Sequence, residues 1–589
     1  MFLHALYANP RRSKELDGLL HSLRHSNRVG NARRMIMFCY DDLPSQYQSC
    51  LLSVSMFPPH TTVRRTSLVR RWAAENFVTG RDGASAVDEA ERCFDALIAR
   101  GLLHPGHVGA AGKVKSCTVH PHVLSFLNKT ASDDGLERLD LPPDLVHRVS
   151  PRSVIHLLMD SQAAANYSNT TCWGLHWRHT TPAVSKKESS HHDIVTLLNL
   201  LPASSGQLGL IKVLNLQGCK GLKKRLLRNI CSNIFQLKYL SLMDTDATEL
   251  PKEINKIRYL ETLDIRQTLI QSFPSRTIAL PKLMHLLAGH MVHQSIQAIE
   301  SDKTFSTVHL PHGIGSMTNM QVLSHVEVSP GDEDIEELTN VGRKLQLRKL
   351  GVVIRGDKEA HLLQVLLRVV GMVHESLCSL SIRIEAAQPG GDSRLKEVKA
   401  DDVQAFSSVL IADDMGQSPP KLLESLNIKG KISGLPAWIK QLHRLSKVTL
   451  CCTQLTASDI AVLGELLNLR CIRLHHQSYT QKKLMLDNKK FKKLELLVIE
   501  GSDISTIHFD DDAAPKLEKI TWTFTRVEIA LFGINKLLNL KQIEINGSCD
   551  PYHLSRIAQD IKVNPSHPIL LYNTNRDATA APSNSFIRE

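Results

Sequence analysis

One phrase, L-x-x-L-x-L, returns at intervals of roughly 22 to 27 residues from about Leu210 to the C-terminus, and no other feature of the chain constrains its fold so tightly. The clearest copies are Ile211-Leu214-Leu216, Leu237-Leu240-Leu242, Leu260-Leu263-Ile265, Leu423-Leu426-Ile428, Leu445-Val448-Leu450, Leu469-Ile472-Leu474, Leu494-Leu497-Ile499, Leu517-Ile520-Trp522 and Leu540-Ile543-Ile545. In each, the fourth and sixth residues share one face of a short strand, and the residues between them point the other way. Such a strand cannot offset its own ordering entropy, so each unit must stack on neighbours that share a continuous core.

Period and phrase together predict an α/β leucine-rich-repeat solenoid, a horseshoe that makes a binding surface and not a catalyst. Cys219, Thr245 and Thr268 fall three residues after Leu216, Leu242 and Ile265, where a small polar or thiol group can satisfy the backbone as the chain leaves the strand. Next comes an L-P-x-x-I or related turn, as at Leu250-Pro251-Lys252-Glu253-Ile254, Phe273-Pro274 and Leu435-Pro436-Ala437-Trp438-Ile439. A chain of 589 residues that is 42% hydrophobic but only 5% aromatic suits an aliphatic interior and has length for a second domain. No run of about 18 apolar residues predicts a membrane span. The first residues lack a basic and apolar signal sequence, and the twelve cysteines show no pairing rhythm. These features predict free thiols in a reducing setting, the cytoplasm or the nucleus.

A different grammar rules the N-terminal part. Leu68 and Trp72, then Val87, Ala90, Phe94 and Leu97, follow helical spacing and predict one buried stripe per helix. Ser85 can cap the second helix, and Gly101 stands where a left-handed residue closes it. Two β-prone pieces follow, at 102–104 and 115–119, joined by a turn containing Gly106, Gly109 and Gly112. Helices followed by a hairpin predict a small winged-helix domain in front of the solenoid.

The phrases Tyr40-Asp41-Asp42-Leu43-Pro44, Cys50-Leu51-Leu52-Ser53-Val54-Ser55-Met56-Phe57-Pro58 and Leu68-Val69-Arg70-Arg71-Trp72-Ala73-Ala74-Glu75-Asn76-Phe77-Val78 resemble the winged-helix part of plant nucleotide-binding (NB-ARC) leucine-rich-repeat immune receptors, the NLR family. Residues 93–103 resemble the family's next helix and strand, and the repeats are similar to those of cereal members with a coiled-coil N-terminus. The resemblance runs from about Gly30 onward. It implies a disease-resistance protein that recognises a pathogen effector or a host protein, with an intramolecular or receptor–receptor contact as a further partner. The run Cys117-Thr118-Val119-His120-Pro121-His122 sits where the family has its Met-His-Asp signature. There the family's histidine faces ADP phosphates, so the resemblance makes His120 a vestigial ADP contact, with Pro121 in place of the aspartate.

No G-x-x-x-x-G-K-[ST] loop is present in this sequence: Gly112-Lys113 is followed by Val114, and His107 stands five positions before Gly112. We therefore expect no cofactor, and without a G-x-S-x-G or H-E-x-x-H motif no enzymatic activity. Cys172, His176, His179, His191 and His192 offer zinc donors but lack paired spacing, so a polar interdomain loop is the expectation and no metal site is assigned. The formal net charge of +12 and the cluster Arg64, Arg65, Arg70 and Arg71 raise a DNA-binding alternative. A solvated helix face explains the same arginines, and nucleic acid is not the expected partner. A generic repeat scaffold is the other alternative.

The expected organisation is a remnant of ARC helices at 1–30, a winged helix at 31–130, a connector at 131–193 with a degenerate repeat near 154–159, repeats at 194–575 and a tail at 576–589. Wider gaps at 290–318 and 385–421 read as insertions in the repeats. Outward strand positions Lys447, Thr449, Arg473, His475, Lys519, Thr521 and Thr523 are expected to line one concave, net basic face suited to an acidic partner.

Overall fold

The computed structural model describes residue 2 and residues 13–24, 28–57, 61–80, 83–109, 112–133, 211–274, 278–289, 307–355, 359–385, 419–432, 434–526 and 529–573. The Cys/His group from Cys172 to His192, the repeat expected near 154–159, nearly all of the connector, most of both insertions and the tail lie outside these described residues. The chain divides into two compact units, 1–269 with 280–283 and 270–279 with 284–589.

The first unit opens with helices α1 (Ser13–Arg24), α2 (Arg28–Asp41) and α3 (Ser45–Leu52), strand β1 (Val63–Arg64), and helices α4 (Arg65–Ala74) and α5 (Ala86–Ala99). Strands β2 (His104–Pro105) and β3 (Ser116–Thr118) and helix α6 (Pro121–Asp133) complete the winged helix. β3 lies between β1 and β2 in a small antiparallel sheet; the hairpin follows the expectation, while β1 is too short to carry a periodicity. Ser85 caps α5 in a reciprocal box with Asp88, each backbone N–H donating to the other's side chain at 3.2 Å. Gly101 closes the helix with φ at +71°. Leu68, Trp72, Ala90, Phe94 and Leu97 are buried together, and Val87 is packed at their margin. The Trp72 indole N–H donates to Ser53 Oγ at 2.9 Å, so its one polar atom is satisfied inside the core.

The same unit holds the first repeats: β4 (Val213–Asn215), helix α7 (Lys224–Asn233), β5 (Tyr239–Ser241) and β6 (Thr262–Asp264). The strands are parallel, with Leu214, Leu240 and Leu263 in register and buried. The Thr245 hydroxyl donates to the Leu242 carbonyl at 2.8 Å and the Thr268 hydroxyl to the Ile265 carbonyl at 2.7 Å, the backbone duty expected of those positions. Pro251 leads directly into a single tight turn, Lys252–Lys256.

The second unit continues the repeats with β7 (His285–Leu287), β8 (Val308–His309), β9 (Val322–Val328), α8 (Asp332–Lys344), β10 (Lys349–Arg355), α9 (Glu359–Met372) and β11 (Ser379–Glu385). Then come β12 (Ser425–Lys429), β13 (Lys447–Cys451), α10 (Ala457–Gly464), β14 (Cys471–Leu474), β15 (Lys483–Leu486), β16 (Leu496–Glu500), β17 (Thr506–Phe509), β18 (Lys519–Arg526), β19 (Ala530–Phe532), β20 (Gln542–Ser548), α11 (Pro551–Val563) and β21 (Ile569–Asn573). Most of them form one parallel ladder from β7 to β21, while β15, β17 and β19 make a second, short parallel sheet. Every inward residue of the later copies, from Leu426 and Ile428 to Ile543 and Ile545, is buried. Between β9 and β11 the phrase persists as Leu347-Leu350-Val352 and Leu377-Leu380-Ile382, all buried, but full helices α8 and α9 replace the short turns and pack on each other. At that crossing an added Cβ on Gly342 would come within 3.2 Å of Val369, so the position favours glycine. Among the described residues no helix is long and apolar enough to cross a membrane.

Candidate functional site

The ladder sets the outward side chains of the later repeats in straight rows. One row runs Ser425, Lys447, Cys471, Leu496, Lys519, Gln542 and Ile569; the next runs Asn427, Thr449, Arg473, Val498, Thr521, Glu544 and Leu571. Period-two alternation thus brings Lys447, Thr449, Arg473, Lys519 and Thr521 to one face, half-buried by their neighbours, as expected.

Lys447 and Arg473 stand on adjoining strands, and neither meets a carboxylate within salt-bridge distance among the described residues. Burial, with the positive charge of Arg473 adding to it, holds the Lys447 amine below its ordinary range. Arg473 Nε is buried with no hydrogen-bond partner among the described residues. The two half-buried cations on adjoining strands form a place where an incoming carboxylate would offset their desolvation and mutual repulsion.

The net basic character expected of the whole face needs correction. Lys519 Nζ is paired with Glu544 at 2.8 Å and His475 Nδ1 lies 2.7 Å from Glu500, each across one strand. Thr523 is buried, only 4% exposed, and its hydroxyl accepts a hydrogen bond from Asn546 Nδ2 at 3.2 Å, so it does not line the face. The uncompensated positive centre narrows to Lys447 and Arg473, with Thr449 beside them and the half-buried Leu496 on the next strand. The neutralising carboxylates could be read from the register, since Glu500 and Glu544 sit one repeat beyond their basic partners.

In the arginine cluster of the winged helix Arg64 is exposed, as a solvated face requires, and Arg70 is half-buried, but Arg65 and Arg71 depart from both readings. Arg65 is 2% exposed, bound by Glu91 and by Asp95 Oδ2 at 2.7 Å, with its guanidinium 4.7 Å from the centre of the Phe94 ring. Arg71 is buried beside the Phe57 ring at 5.3 Å. Neither is available to a DNA backbone or belongs to a solvated face, because α4 turns that side toward α5 and the first repeats. Ala74 packs with Val213 and Tyr239, and Lys238 Nζ donates to Asn76 Oδ1 at 3.0 Å. This is an intramolecular contact between the winged helix and the repeats.

His120 is exposed at the start of α6. Its Nδ1 accepts the His122 backbone N–H at 3.2 Å and its carbonyl accepts the Leu124 N–H at 2.9 Å, which makes it a cap for a helix that begins on Pro121. Its ring lies 5.6 Å from that of His104 and 5.2 Å from that of His122. Among the described residues no group of His, Cys, Asp and Glu is arranged to hold a metal ion.

Comparison with known proteins agrees with this architecture. The family described as leucine-rich repeat region matches residues 194–568, and the disease resistance protein winged helix domain matches residues 56–127. The chain is 28% identical to disease resistance protein Pik-2 of Oryza sativa subsp. japonica over 91% of its own length and 53% of that protein's. It is 25% identical to disease resistance protein RGA5 of the same plant over 86% of this chain and 42% of that one. It thus spans about half the length of the curated relatives it matches. Among solved structures, the Leptospira interrogans LRR protein LIC12759 aligns with a TM-score of 0.35 and 17% identity over 63% of this chain and 92% of that chain, a likeness too distant to carry an argument. The chain belongs to the leucine-rich repeat region family, here coupled to a winged helix of the disease resistance type, and its relatives are plant NLR disease resistance proteins.

Proposed function

We propose that this chain serves as the recognition part of a plant innate immune receptor in the cytoplasm. It binds an acidic surface of a partner protein, a pathogen effector or a host protein, between Lys447, Thr449 and Arg473. The observation that carries this reading is the Lys447/Arg473 pair, which lacks the carboxylates that neutralise its neighbours. A carboxylate docked there gains charge-assisted hydrogen bonds at a partly desolvated site.

Affinity capture from infected leaf tissue, comparing the wild-type chain with a Lys447→Glu/Arg473→Glu variant, tests the proposal. A prey retained by the first is expected to bind the second about tenfold or more weakly, the effect of losing at least one hydrogen bond to a charged group. Equal retention would move the interface to another surface.

The reading is non-enzymatic and needs no cofactor. The role of His120 as a helix cap supports it, since the acceptor nitrogen is already engaged. ADP titrated into the purified chain is expected to give no heat of binding, with ATP hydrolysis at background. Micromolar ADP affinity that His120→Ala abolishes would overturn this part.

A further inference from the structure

We propose that Cys451 and Cys452 are a peroxide-responsive dithiol that closes reversibly to an intrachain disulfide at the end of β13. The two Sγ atoms lie 3.7 Å apart. Side chains of adjacent strand residues ordinarily diverge. Here the strand ends at Cys451, and Cys452 takes a left-handed backbone conformation with φ at +56°, which turns its side chain back toward its neighbour. The backbone is pinned on both sides, the Cys452 N–H donating to His476 O at 2.7 Å and the Gly430 N–H to Cys451 O at 2.9 Å.

The surroundings favour a nucleophilic sulfur at Cys452. Its thiol is held below the ordinary range by the hydrogen bond from Cys451, against burial; Lys429 on the preceding strand and His475 on the following one assist, and Asp503 opposes. The Cys451 thiol is driven up by the same hydrogen bond and by burial, with Lys429 and Arg383 opposing. Cys452 is also partly accessible. Among the described residues the only other cysteine that is not buried is Cys378, whose thiol burial pushes up. Thiolate character together with access is the condition for selective oxidation.

The chemistry balances with a peroxide as the oxidant. The Cys452 thiolate attacks one peroxide oxygen; the O–O bond breaks, an S–O bond forms, and the hydroxide released takes a proton to become water. Cys451 then attacks the sulfenic sulfur, an S–S bond forms, the S–O bond breaks, and the departing hydroxide takes the Cys451 proton. Two thiols and one peroxide become one disulfide and two waters. Because neighbouring Cα atoms stand about 3.8 Å apart, closer than the usual span of a disulfide, the product is strained and easily reduced.

Peroxide treatment of the full reduced chain, followed by denaturation, alkylation and tryptic digestion, tests the idea on the peptide 448–470, which contains only these two cysteines. The expected product is that peptide two hydrogens lighter and unalkylated, restored by dithiothreitol. A Cys451→Ser variant should instead accumulate a sulfenic acid at Cys452 that dimedone traps. Without peroxide, Cys452 should be alkylated in the native chain at neutral pH about tenfold faster than Cys378. The proposal fails if Cys452 reacts no faster than Cys378, if both thiols stay alkylatable after peroxide, or if Cys452 overoxidises while Cys451 remains free.

Discussion

In the winged helix, Trp72 and Phe94 from different helices meet with ring centroids 6.4 Å apart, and a buried arginine lies over one of those rings. In the repeats, Leu240 meets Leu214 and Leu263, its counterparts one strand to either side. The first region is a closed core in which distant parts of the sequence depend on one another. The second is a stack in which each layer depends on the next. Both are well packed, so the contrast shows that buried area alone does not determine how damage spreads; the contact pattern does.

Three substitutions probe that contrast. Trp72→Ala has the largest expected effect, about 3 to 5 kcal/mol for an aromatic truncated in a core, and it also strips Ser53 of its indole partner. Hydrogen exchange should show α3, α4 and α5 losing protection together; loss confined to α4 would mean that the winged helix is not one cooperative core. Leu263→Ala should cost about 2 to 5 kcal/mol. Its loss of protection should centre on β6 and β5 and fade along the stack, so uniform loss across the first unit would erase the distinction. The smallest effect belongs to Lys447→Glu/Arg473→Glu, expected to cost about 1 kcal/mol, since two carboxylates replace two cations at a half-buried site that carries no core packing. A larger drop in melting would show these cations to be structural, and would weaken the recognition role assigned to them.

The same contrast explains what could be read in advance. Period-two burial in copies such as Leu445-Val448-Leu450 reports a local rule repeated many times, so register and outward positions were legible. Between β9 and β11 helices α8 and α9 lengthen the repeat and blur its period. The burial of Arg65 was not legible, because its carboxylate partners lie on the next helix and a basic residue beside other arginines reads as surface. Of the candidate face, the positions were visible and so, from the same register, were the carboxylates one repeat away; what the register does not show is that the side chains close into pairs, Lys519 with Glu544 and His475 with Glu500. The thiol pair was visible as composition only, since its geometry depends on one left-handed residue.

The cross-strand pairs Lys519–Glu544 and His475–Glu500 also bear on how such a face can change. A new basic contact need not arise by acquiring a lysine or arginine in the correct place. Replacing Glu544 by a neutral residue would unmask Lys519, a cation already positioned by its strand, adding to the centre at Lys447 and Arg473 without altering the fold. The face therefore stores an alternative specificity in masked form, one substitution away, and a restored glutamate would remove the contact again.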